Sequence, residues 1–523
     1  MRLDDLAKEI DSTAAAGVLD REARDVTHDS REVAPGTVFV AIRGEKVDAL
    51  HFVPQAVERG AVAVVSEQSL QHFSDADDRA AKAVRAPEAP AWIEVKDARA
   101  ALARASAAVH GHPSRRLKLA GITGTNGKTT TAHLIDSIIR ASEGASAMFG
   151  TINYRIGDSA ETARHTTPEA SDIQRMLARA VEAGCRSAVM EVSSHAIELR
   201  RADSLRFAAA VFTNLTRDHL DYHKTMESYF AAKKKLFDGS LEGGPAASII
   251  NIDDEYGRRL LSDAKGRLIT YGFSEDADVS TPQFRLSARG LRFTARTPAG
   301  EIEITSSLVG RPHVYNILAS IAAGLALGAD PVAIARGIEA CSSVAGRFEQ
   351  VSLEGDGQTD FAVVVDYAHT DDALRNVLQT AREVVSGAGR VITVFGCGGD
   401  RDRTKRAPMG EIAATLSDIA IVTSDNPRTE DPLTIIEDIE AGLKKTGRSY
   451  IKLPDRREAI FRAVAEASAG DLVVIAGKGH ETYQIIGHET IHFDDREVAR
   501  EAMREFRKPE VRSQEPEDGL DLC

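Results

Sequence analysis

A glycine-rich turn between a strand and a helix constrains the fold of this chain more than any other segment. Residues 117–123 (LKLAGIT) form an apolar run of strand length, residues 124–130 (GTNGKTT) form a turn, and residues 131–141 (TAHLIDSIIRA) have the apolar spacing of a helix. Glycines in such a turn let backbone N–H groups point inward and bind phosphate oxygens at the helix N-terminus. The segment therefore predicts a phosphate-binding loop. The alternative, a turn with an incidental Gly-Lys-Thr, does not account for both flanking elements.

Lys128 and Thr129 are the residues of this loop best suited to nucleotide chemistry. A lysine at this position can reach the β- and γ-phosphates, and the threonine hydroxyl can bind Mg²⁺. The spacing departs from the standard Walker A loop, which would have glycine at position 122, where this chain has Ile122. We predict an ATP site formed by the loop residues Gly124, Thr125, Asn126, Gly127, Lys128, Thr129 and Thr130.

The length of 523 residues exceeds that of one domain, and the pattern of strands and helices divides the chain into three α/β domains. We predict a mixed α/β domain over residues 1–112 and a central parallel-sheet ATPase domain of the P-loop type over residues 113–345. A Rossmann-like, doubly wound domain is predicted over residues 346–507. Residues 508–523 hold two basic and five acidic residues without apolar periodicity, which predicts a disordered acidic tail.

Composition excludes several classes of protein. No apolar run reaches the about 18 residues of a membrane span, and the first residues lack the apolar segment of a secretion signal. Four widely spaced cysteines without a CxxC pair indicate reduced thiols, and a net charge of −14 argues against a nucleic-acid partner. We therefore expect a cytoplasmic, monomeric protein that acts on small molecules without membrane insertion.

Glu191 ends the apolar run 188–192 (AVMEV), which is predicted as a strand of the parallel sheet. Ligands bind at the carboxyl ends of such strands, and Mg²⁺ prefers oxygen ligands such as carboxylates. The alternative is a carboxylate that is only solvated or hydrogen-bonded. Next to a phosphate loop, we interpret Glu191 as a metal ligand.

Lys233 lies in the helical segment 228–237 (SYFAAKKKLF), where it differs from the two lysines that follow it. Its neighbours at three and four residues are all apolar or aromatic: Tyr229, Phe230, Leu236 and Phe237. Lys234 and Lys235 rotate away from this face and fit a solvated basic run. A desolvated lysine has a lowered pKa and is more nucleophilic, so it could take up CO₂ as a carbamate.

Ten motifs, in this order between Asp29 and Gln484, resemble those of one known family: GTNGKTT, HTTPE, MEVSSHAIELRR, TNLTRDHLDYH, YFAAKKKLF, GRFE, DYAHT, FGCGGDRDRTKR, DNPR and AGKGHETYQ. The family is that of the Mur ligases, ATP-dependent enzymes that form amide bonds in cell-wall synthesis. The resemblance implies a nucleotide-sugar-binding function for the first domain and ATP and Mg²⁺ as cofactors. It also implies an acyl-phosphate intermediate on the acceptor carboxylate.

The resemblance also implies roles for individual residues. The implied metal ligands are Thr129, Glu191 and His219, and Lys233 is implied to be a carbamate (N6-carboxylysine) that faces Mg²⁺. The implied catalytic residues are Lys128, Glu191, His219 and Lys233. Further ATP contacts fall to Asn316, Arg347 and Asp366. The chain departs from the family at Asp371, where a proline is usual, at His313, where an asparagine is usual, and within residues 48–52 (DALHF).

Two groups of residues are implied as substrate contacts. The UDP-N-acetylmuramoyl dipeptide would be held by Ser30, Thr166, Thr167, Ser193 and Arg201, and the incoming amino acid by Arg401, Asp425, Asn426, Pro427, Arg428, Gly477 and Glu481. In the family, DNPR marks the enzymes that add meso-diaminopimelate, whose second carboxylate Arg428 could bind bidentately. Glu481 could hold the distal ammonium.

Several other functions remain as alternatives. An L-lysine-adding ligase of the same family or a folylpolyglutamate synthetase-like ligase would share the loop. DNPR, MEVSSH and the dedicated first domain argue against the synthetase. A P-loop kinase or mechanical ATPase would not need the third domain. A nucleotide-binding regulator would leave Glu191 and Lys233 without a task.

Overall fold

The computed structural model describes residues 1–44, 47–76, 89–287, 290–353, 359–385 and 389–506. The described residues fall into two compact units, one that ends at Val344 and one that begins at Ala345. The predicted tail over residues 508–523 lies outside the described residues. No helix in the described part of the chain is both long enough and apolar enough to cross a membrane.

The first unit begins with a small sheet whose central strands are fully buried. In the described residues the sheet has five strands, in the spatial order Ala14–Ala16, Ala91–Glu94, Ala63–Ser66, Thr37–Val40 and Asp25–Thr27. The first of these pairs antiparallel and the others parallel. Its helical segments are Leu3–Glu9, Ala49–Phe52, Val53–Glu58, Leu70–Ala76, Ala98–Val109 and Pro113–Arg115. This is the mixed α/β arrangement predicted for the start of the chain.

A second, larger sheet follows in the same unit. The strands assigned among the described residues run in the order Arg285–Ser287, Gly290–Thr297, Val279–Ser280, Arg267–Gly272, Ala247–Asn251, Phe207–Phe212, Lys118–Thr123, Ser187–Glu191, Ala147–Phe149, Asn153–Ile156 and Ser159–Thr162, and Gly300–Ser306 pairs with Gly290–Thr297. The strands from Val279–Ser280 to Ala147–Phe149 are parallel, as predicted. Both edges are antiparallel. The hairpin ending in Ser159–Thr162 was not predicted, because that strand is exposed throughout and has no apolar period.

Helices cover both faces of this central sheet. They are Lys128–Glu143, Ala170–Glu182, Ser194–Glu198, Leu220–His223, Met226–Lys234, Glu255–Leu260, Arg311–Leu327 and Pro331–Ala340. One core contains Ile138 and Ile317, and the core on the opposite face contains Leu177 and Phe237. The helix Arg311–Leu327 has Pro312 in its first turn, where proline is well suited.

The second unit is a doubly wound α/β domain, as predicted. Its sheet has the order Glu349–Gln350, Ala362–Asp366, Leu472–Ala476, Val391–Phe395, Ile419–Val422 and Ile451–Lys452, and only the first of these described strands pairs antiparallel. Its helical segments are Asp371–Val384, Arg403–Lys405, Arg406–Leu416, Pro432–Lys445, Arg456–Glu466 and Asp495–Glu505. Apolar cores lie on both faces of the sheet. A separate hairpin, Tyr483–Ile486 with Glu489–His492, was not predicted.

Candidate functional site

The phosphate loop connects the strand Lys118–Thr123 to the N-terminus of the helix Lys128–Glu143. Gly124 and Gly127 have φ of +148° and +89°, which side chains rarely adopt. The Asn126 amide donates to Asn214 Oδ1 at 2.9 Å, and Thr213 Oγ1 donates to the Asn126 carbonyl at 2.7 Å. The loop is therefore held in shape by the residues that follow the neighbouring strand Phe207–Phe212.

Two lysines converge on one carbonyl oxygen of this loop. Lys128 Nζ donates to the Gly124 carbonyl at 2.9 Å and to the Thr125 carbonyl at 2.8 Å. Lys233 Nζ donates to the same Gly124 carbonyl at 2.8 Å and lies 4.5 Å from the centroid of the Tyr229 ring. The helix Met226–Lys234 thus brings Lys233 directly against the phosphate loop.

Lys233 is buried, with 1% of its surface exposed, whereas Lys234 and Lys235 pair with Asp263 and Glu198 nearer the surface. Burial and the neighbouring Lys128 charge lower the pKa of Lys233 well below its usual value, and Asp218 opposes this shift. The neutral amine is favoured in such a site, and a neutral amine has the lone pair that a nucleophile needs.

Glu191 is fully buried at the end of the strand Ser187–Glu191. Its carboxylate accepts hydrogen bonds from the Thr129 hydroxyl at 3.1 Å, the Thr151 amide at 2.8 Å and the Thr151 hydroxyl at 3.1 Å. These donors are neutral, and within the described residues Glu191 forms no ion pair. A buried carboxylate without a countercharge is costly, so its surroundings suit a bound cation. Sequence reasoning missed Thr151, which follows the short strand Ala147–Phe149 without a motif of its own.

His219 lies beside the lysines and adopts a left-handed backbone conformation, with φ of +54°. Its Nε2 is 3.5 Å from Asp218 Oδ2, and its ring packs edge-on against His195 with centroids 4.8 Å apart. Burial lowers the pKa of His219 to about 4, aided by the charges of nearby cationic groups and opposed by Asp218. The imidazole is therefore neutral at physiological pH, which is the form that binds metals.

The donor set around the loop fits a hard cation only in part. Across the described ranges, no three His, Cys, Asp or Glu side chains are grouped so that they could hold a metal alone. Thr129 and Glu191 supply oxygen atoms in direct contact with each other. Further ligands would have to come from His219, a modified Lys233 or a bound substrate. This arrangement suits Mg²⁺, which usually keeps substrate oxygens or waters as ligands.

Four of the five residues predicted to hold the sugar-nucleotide substrate form one hydrogen-bonded group next to Glu191. The Thr167 hydroxyl donates to the Glu191 carbonyl at 2.9 Å and accepts from the Ser193 amide at 3.0 Å. Arg201 Nη1 donates to the Thr167 carbonyl at 3.0 Å. The fourth member, Thr166, accepts from the hydroxyl of Thr151 at 3.1 Å.

Two features of this group were not predicted. Arg201 is paired with Glu169 at 2.5 Å, so the guanidinium expected to meet an anionic substrate already has a carboxylate partner. The fifth residue, Ser30, lies in the domain of the small sheet and donates to Gln55 Oε1 at 2.7 Å. No hydrogen bond among the described residues links Ser30 to the other four.

Asn316 lies against the phosphate loop from the helix Arg311–Leu327. A Cβ added at Gly127 would come within 2.4 Å of Asn316 Oδ1, so glycine is required for this close approach. Thr131 Oγ1 donates to the same oxygen at 3.4 Å. His313 stands where the family has asparagine, and its Nδ1 lies 3.4 Å from Asn316 Nδ2.

In the second unit, Arg347 and Asp366 lie close together at the end of the strand Ala362–Asp366. The Asp366 carboxylate accepts from the Phe348 amide at 2.7 Å and from the Ala368 amide at 2.8 Å. The guanidinium of Arg347 lies 4.8 Å from the centroid of the Tyr367 ring. Desolvation raises the pKa of Asp366 to about 6, although the charge of Arg347 opposes it.

The residues predicted to bind the amino acid are centred on Asn426. Asn426 Nδ2 donates to Glu481 Oε2 at 2.8 Å, and the Asn426 amide donates to Asp425 Oδ1 at 2.6 Å. Gly477 must be glycine here, because an added Cβ would lie 2.5 Å from Asp425 Oδ2. The fully buried Lys478 also binds this group, a residue that sequence reasoning overlooked although it stands between two glycines after a strand.

Arg428 is held by backbone carbonyls next to this cluster. Its Nη1 donates to Gly399 O at 2.9 Å and to Asn426 O at 3.4 Å, and its φ is +52°. Within the described residues, Nη2 and Nε of Arg428 donate no hydrogen bond. Pro427, the residue before it, packs its carbonyl against Gly399. Arg401 is exposed, bonds only to the Asp400 carbonyl in the described part of the chain, and is not joined to the cluster.

The chain matches three families along its length. The Mur ligase family, catalytic domain, matches residues 22–110, the Mur ligase middle domain matches residues 122–324, and the Mur ligase, glutamate ligase domain matches residues 346–479. These matches support the predicted three-domain α/β class. The boundaries predicted at residues 112 and 345 are not tested by them and stay a proposal.

Several known proteins are similar to this chain over almost its whole length. One from Solibacter usitatus, named UDP-N-acetylmuramoyl-L-alanyl-D-glutamate--2,6-diaminopimelate ligase, is 48% identical over 93% of this chain and 94% of its own length. One of the same name from Geobacter metallireducens is 47% identical over 97% and 99%. A solved structure of that name has a TM-score of 0.66 and 32% identity, and the match covers 97% of this chain and 99% of that one.

Proposed function

Since the chain belongs to the Mur ligase family, we propose that it catalyses the ATP-dependent addition of meso-diaminopimelate to UDP-N-acetylmuramoyl-L-alanyl-D-glutamate in peptidoglycan precursor synthesis. The D-glutamate carboxylate attacks the γ-phosphorus of ATP, the bond to the β-phosphate oxygen breaks, and an acyl phosphate forms. The amine of diaminopimelate then attacks the acyl carbon, an amide forms, and phosphate leaves. No covalent enzyme nucleophile is needed.

Phosphoryl transfer depends on electrostatic stabilisation and positioning. The loop N–H groups at the start of the helix Lys128–Glu143 and the ammonium of Lys128 would bind the phosphates. Asn316 is close enough to the loop to contact the same nucleotide. The nucleotide-binding role of Arg347 and Asp366 is proposed from the family resemblance. The observation that carries the proposal is the combination of this loop with the buried carboxylate of Glu191, which forms no ion pair with any described residue.

We assign the metal to Thr129, Glu191 and His219, together with a carbamate of Lys233. Mg²⁺, when bound, would offset the repulsion between the γ-phosphate and the acceptor carboxylate. Lys233 would form the carbamate when its neutral Nζ attacks CO₂: a C–N bond forms, a C=O electron pair moves to oxygen, and a proton leaves to water. The product replaces a buried amine by an oxygen ligand. The lowered pKa of Lys233 supports this assignment.

The acceptor and the amino acid would be held by separate groups of residues. Thr166, Thr167, Ser193 and Arg201 lie beside Glu191 and suit the dipeptide end of the nucleotide substrate, with Ser30 toward its uridine end. In the second unit, Arg428 would bind the distal carboxylate of diaminopimelate, and Glu481 the distal ammonium. L-Lysine lacks that carboxylate, so Arg428 would have no partner in a lysine-adding enzyme.

A phosphate-release assay with a panel of amino acids tests the proposal. We expect turnover only when ATP, the UDP-muramoyl dipeptide and meso-diaminopimelate are all present. Phosphate release with the dipeptide and L-lysine, or with a folate and glutamate, would instead favour one of the two rival ligases. Hydrolysis of ATP without any acceptor would indicate an ATPase, and nucleotide binding without turnover under all conditions would indicate a regulator.

A further inference from the structure

Lys478 is a buried amine for which the proposed reaction gives no role. It stands between Gly477 and Gly479, directly after the strand Leu472–Ala476, and its side chain is fully buried. Its Nζ lies 3.2 Å from Asn426 Oδ1 and 3.2 Å from Glu481 Oε2. A lysine is rarely buried to this extent unless it is paired, so these two contacts account for its position.

The two oxygens of Glu481 have different surroundings. Oε2 accepts from Asn426 Nδ2 at 2.8 Å and from Lys478 Nζ at 3.2 Å. Oε1 accepts no hydrogen bond from any described residue. One oxygen is thus fixed by the protein, and the other is left for a ligand.

The charge of Glu481 depends on the groups that surround it. Burial raises the pKa of Glu481, the nearby Asp425 carboxylate raises it further, and the Lys478 charge and the Asn426 hydrogen bond lower it. Other ionisable groups that interact with Glu481 are the phenols of Tyr367 and Tyr483 and the buried guanidinium of Arg456. Arg456 is already paired with Asp495 at 2.7 Å, which leaves Lys478 as the cation in direct contact with Glu481 in the described structure.

We propose that Lys478 is a positioning residue for Glu481: it fixes one carboxylate oxygen and keeps the group ionised, so that the other oxygen binds the distal ammonium of the amino-acid substrate. This inference rests on the proposed function, in which Glu481 contacts that ammonium. A neutral Glu481 would lose the charge that attracts the ammonium.

The test uses two variants of the full chain, Lys478→Met and Lys478→Gln, the second of which keeps a polar side chain but removes the charge. The KM for meso-diaminopimelate and kcat are measured from pH 6.5 to pH 9. Because an opposite charge in contact lowers the pKa of a carboxyl group, we expect KM to rise at least about tenfold at pH 6.5 in both variants and to recover as the pH rises. The KM values for ATP and for the nucleotide dipeptide should stay close to the wild type.

Lys452→Met is the matched control, because Lys452 also pairs with a glutamate, Glu440, at 3.1 Å in the same unit but lies at the surface. It should leave the amino-acid KM unchanged at every pH. If either Lys478 variant folds and shows an unchanged KM, or a KM raised equally across the pH range, the proposal is wrong, since a structural defect alone has no reason to recover at high pH.

A double variant separates this inference from the function on which it rests. In a Glu481→Gln background, removing Lys478 should produce no pH-dependent change in KM, because no carboxyl group remains for it to hold ionised. A persistent pH-dependent change in KM would overturn the role of Lys478 and would leave the assignment of Glu481 to the ammonium standing. If Glu481→Gln by itself leaves the amino-acid KM unchanged, the assignment of Glu481 to the ammonium fails, and the role of Lys478 fails with it.

Discussion

At the scale of single residues, the most informative feature is the contact of Lys233 and Lys128 with the same backbone carbonyl. Both amines donate to the carbonyl of Gly124, and Lys233 is fully enclosed while it does so. Two ammonium groups at one acceptor repel each other, and the more deeply buried one loses its proton more readily. Burial beside Lys128 therefore lowers the pKa of the Lys233 amine at the position where it contacts the phosphate loop.

The first prediction concerns this amine. Lys233→Ala should lower the ligation rate at least about 100-fold, because it removes the oxygen ligand that a carbamate would supply next to the transferring phosphoryl group. Added short carboxylates such as formate or acetate should restore part of the rate. Lys234→Ala, which removes a neighbouring surface lysine paired with Asp263, is the control and should remain active. Full activity of the Lys233 variant would exclude the carbamate.

A second prediction at this scale concerns substrate choice by Arg428. A charge-assisted bidentate pair contributes roughly 2 to 4 kcal/mol when water is excluded, or roughly 30- to 1,000-fold in affinity. Arg428→Ala should therefore lower kcat/KM for meso-diaminopimelate by that factor and change the much weaker activity with L-lysine little. The control is Arg462→Ala, which removes a surface arginine paired with Glu466. Equal losses for both amino acids would show that Arg428 does not select between them.

At the scale of elements, the phosphate loop depends on the strand beside it as much as on its own glycines. The loop bonds to Thr213 and Asn214, which follow the strand Phe207–Phe212, and this strand pairs in parallel with Lys118–Thr123. The register of that pairing sets where the two strand ends meet. A correct loop conformation therefore requires the sheet to be formed.

The third prediction tests this dependence through Gly124. A Cβ at this position would come within 1.9 Å of Thr213 Oγ1, and φ of +148° is unfavourable for any side chain. Gly124→Ala should therefore weaken ATP binding at least about tenfold, since the loop must shift. Gly144→Ala is the control: it also has a positive φ, but nothing lies within 4 Å of its Cβ. It should lose about 1 kcal/mol of stability and keep its ATP affinity, as measured by calorimetric titration.

At the scale of the whole molecule, the first unit combines two sheets with helices on both faces of the larger one, and it buries ionisable groups among them. His223 is one such group: it is buried, its Nε2 lies 2.8 Å from Ser194 Oγ, and its ring packs against Tyr229. Burial is the largest cause of the lowered pKa of His223, which is about 4. The free energy of unfolding should therefore depend on the protonation of His223.

The fourth prediction is a loss of stability in mild acid. The pKa of His223 is about 4 in the folded protein and near 6.5 when unfolded, so the unfolded chain binds more protons between these values. The free energy of unfolding should therefore fall as pH drops from about 6.5 toward 4, and this residue should contribute about 2 kcal/mol of the fall between pH 7 and pH 5. Denaturant unfolding at pH 7 and pH 5 measures it. His223→Phe should show a smaller difference than the wild type, and the exposed His72→Gln should show the same difference. A wild-type stability that does not fall in acid would contradict the prediction.

The sequence by itself determined the features that depend on neighbours a few residues apart. The phosphate loop, the strand that ends at Glu191 and the buried face of Lys233 follow from glycine placement and from the periods of helix and strand, which act locally. The α/β class follows from the alternation of these patterns. Motif resemblance added the candidate ligands and substrate contacts, whose roles remain predictions.

Only the tertiary structure decided which of these residues meet. Thr151 lies 40 residues from Glu191, and Lys478 lies 52 residues from Asn426, yet both pairs are hydrogen-bonded. The Glu169–Arg201 pair and the exposed hairpin strand Ser159–Thr162 likewise have no local signal. The physical reason is that sheet order and register bring distant strand ends together, and no periodicity within one segment records which strand will pair with it.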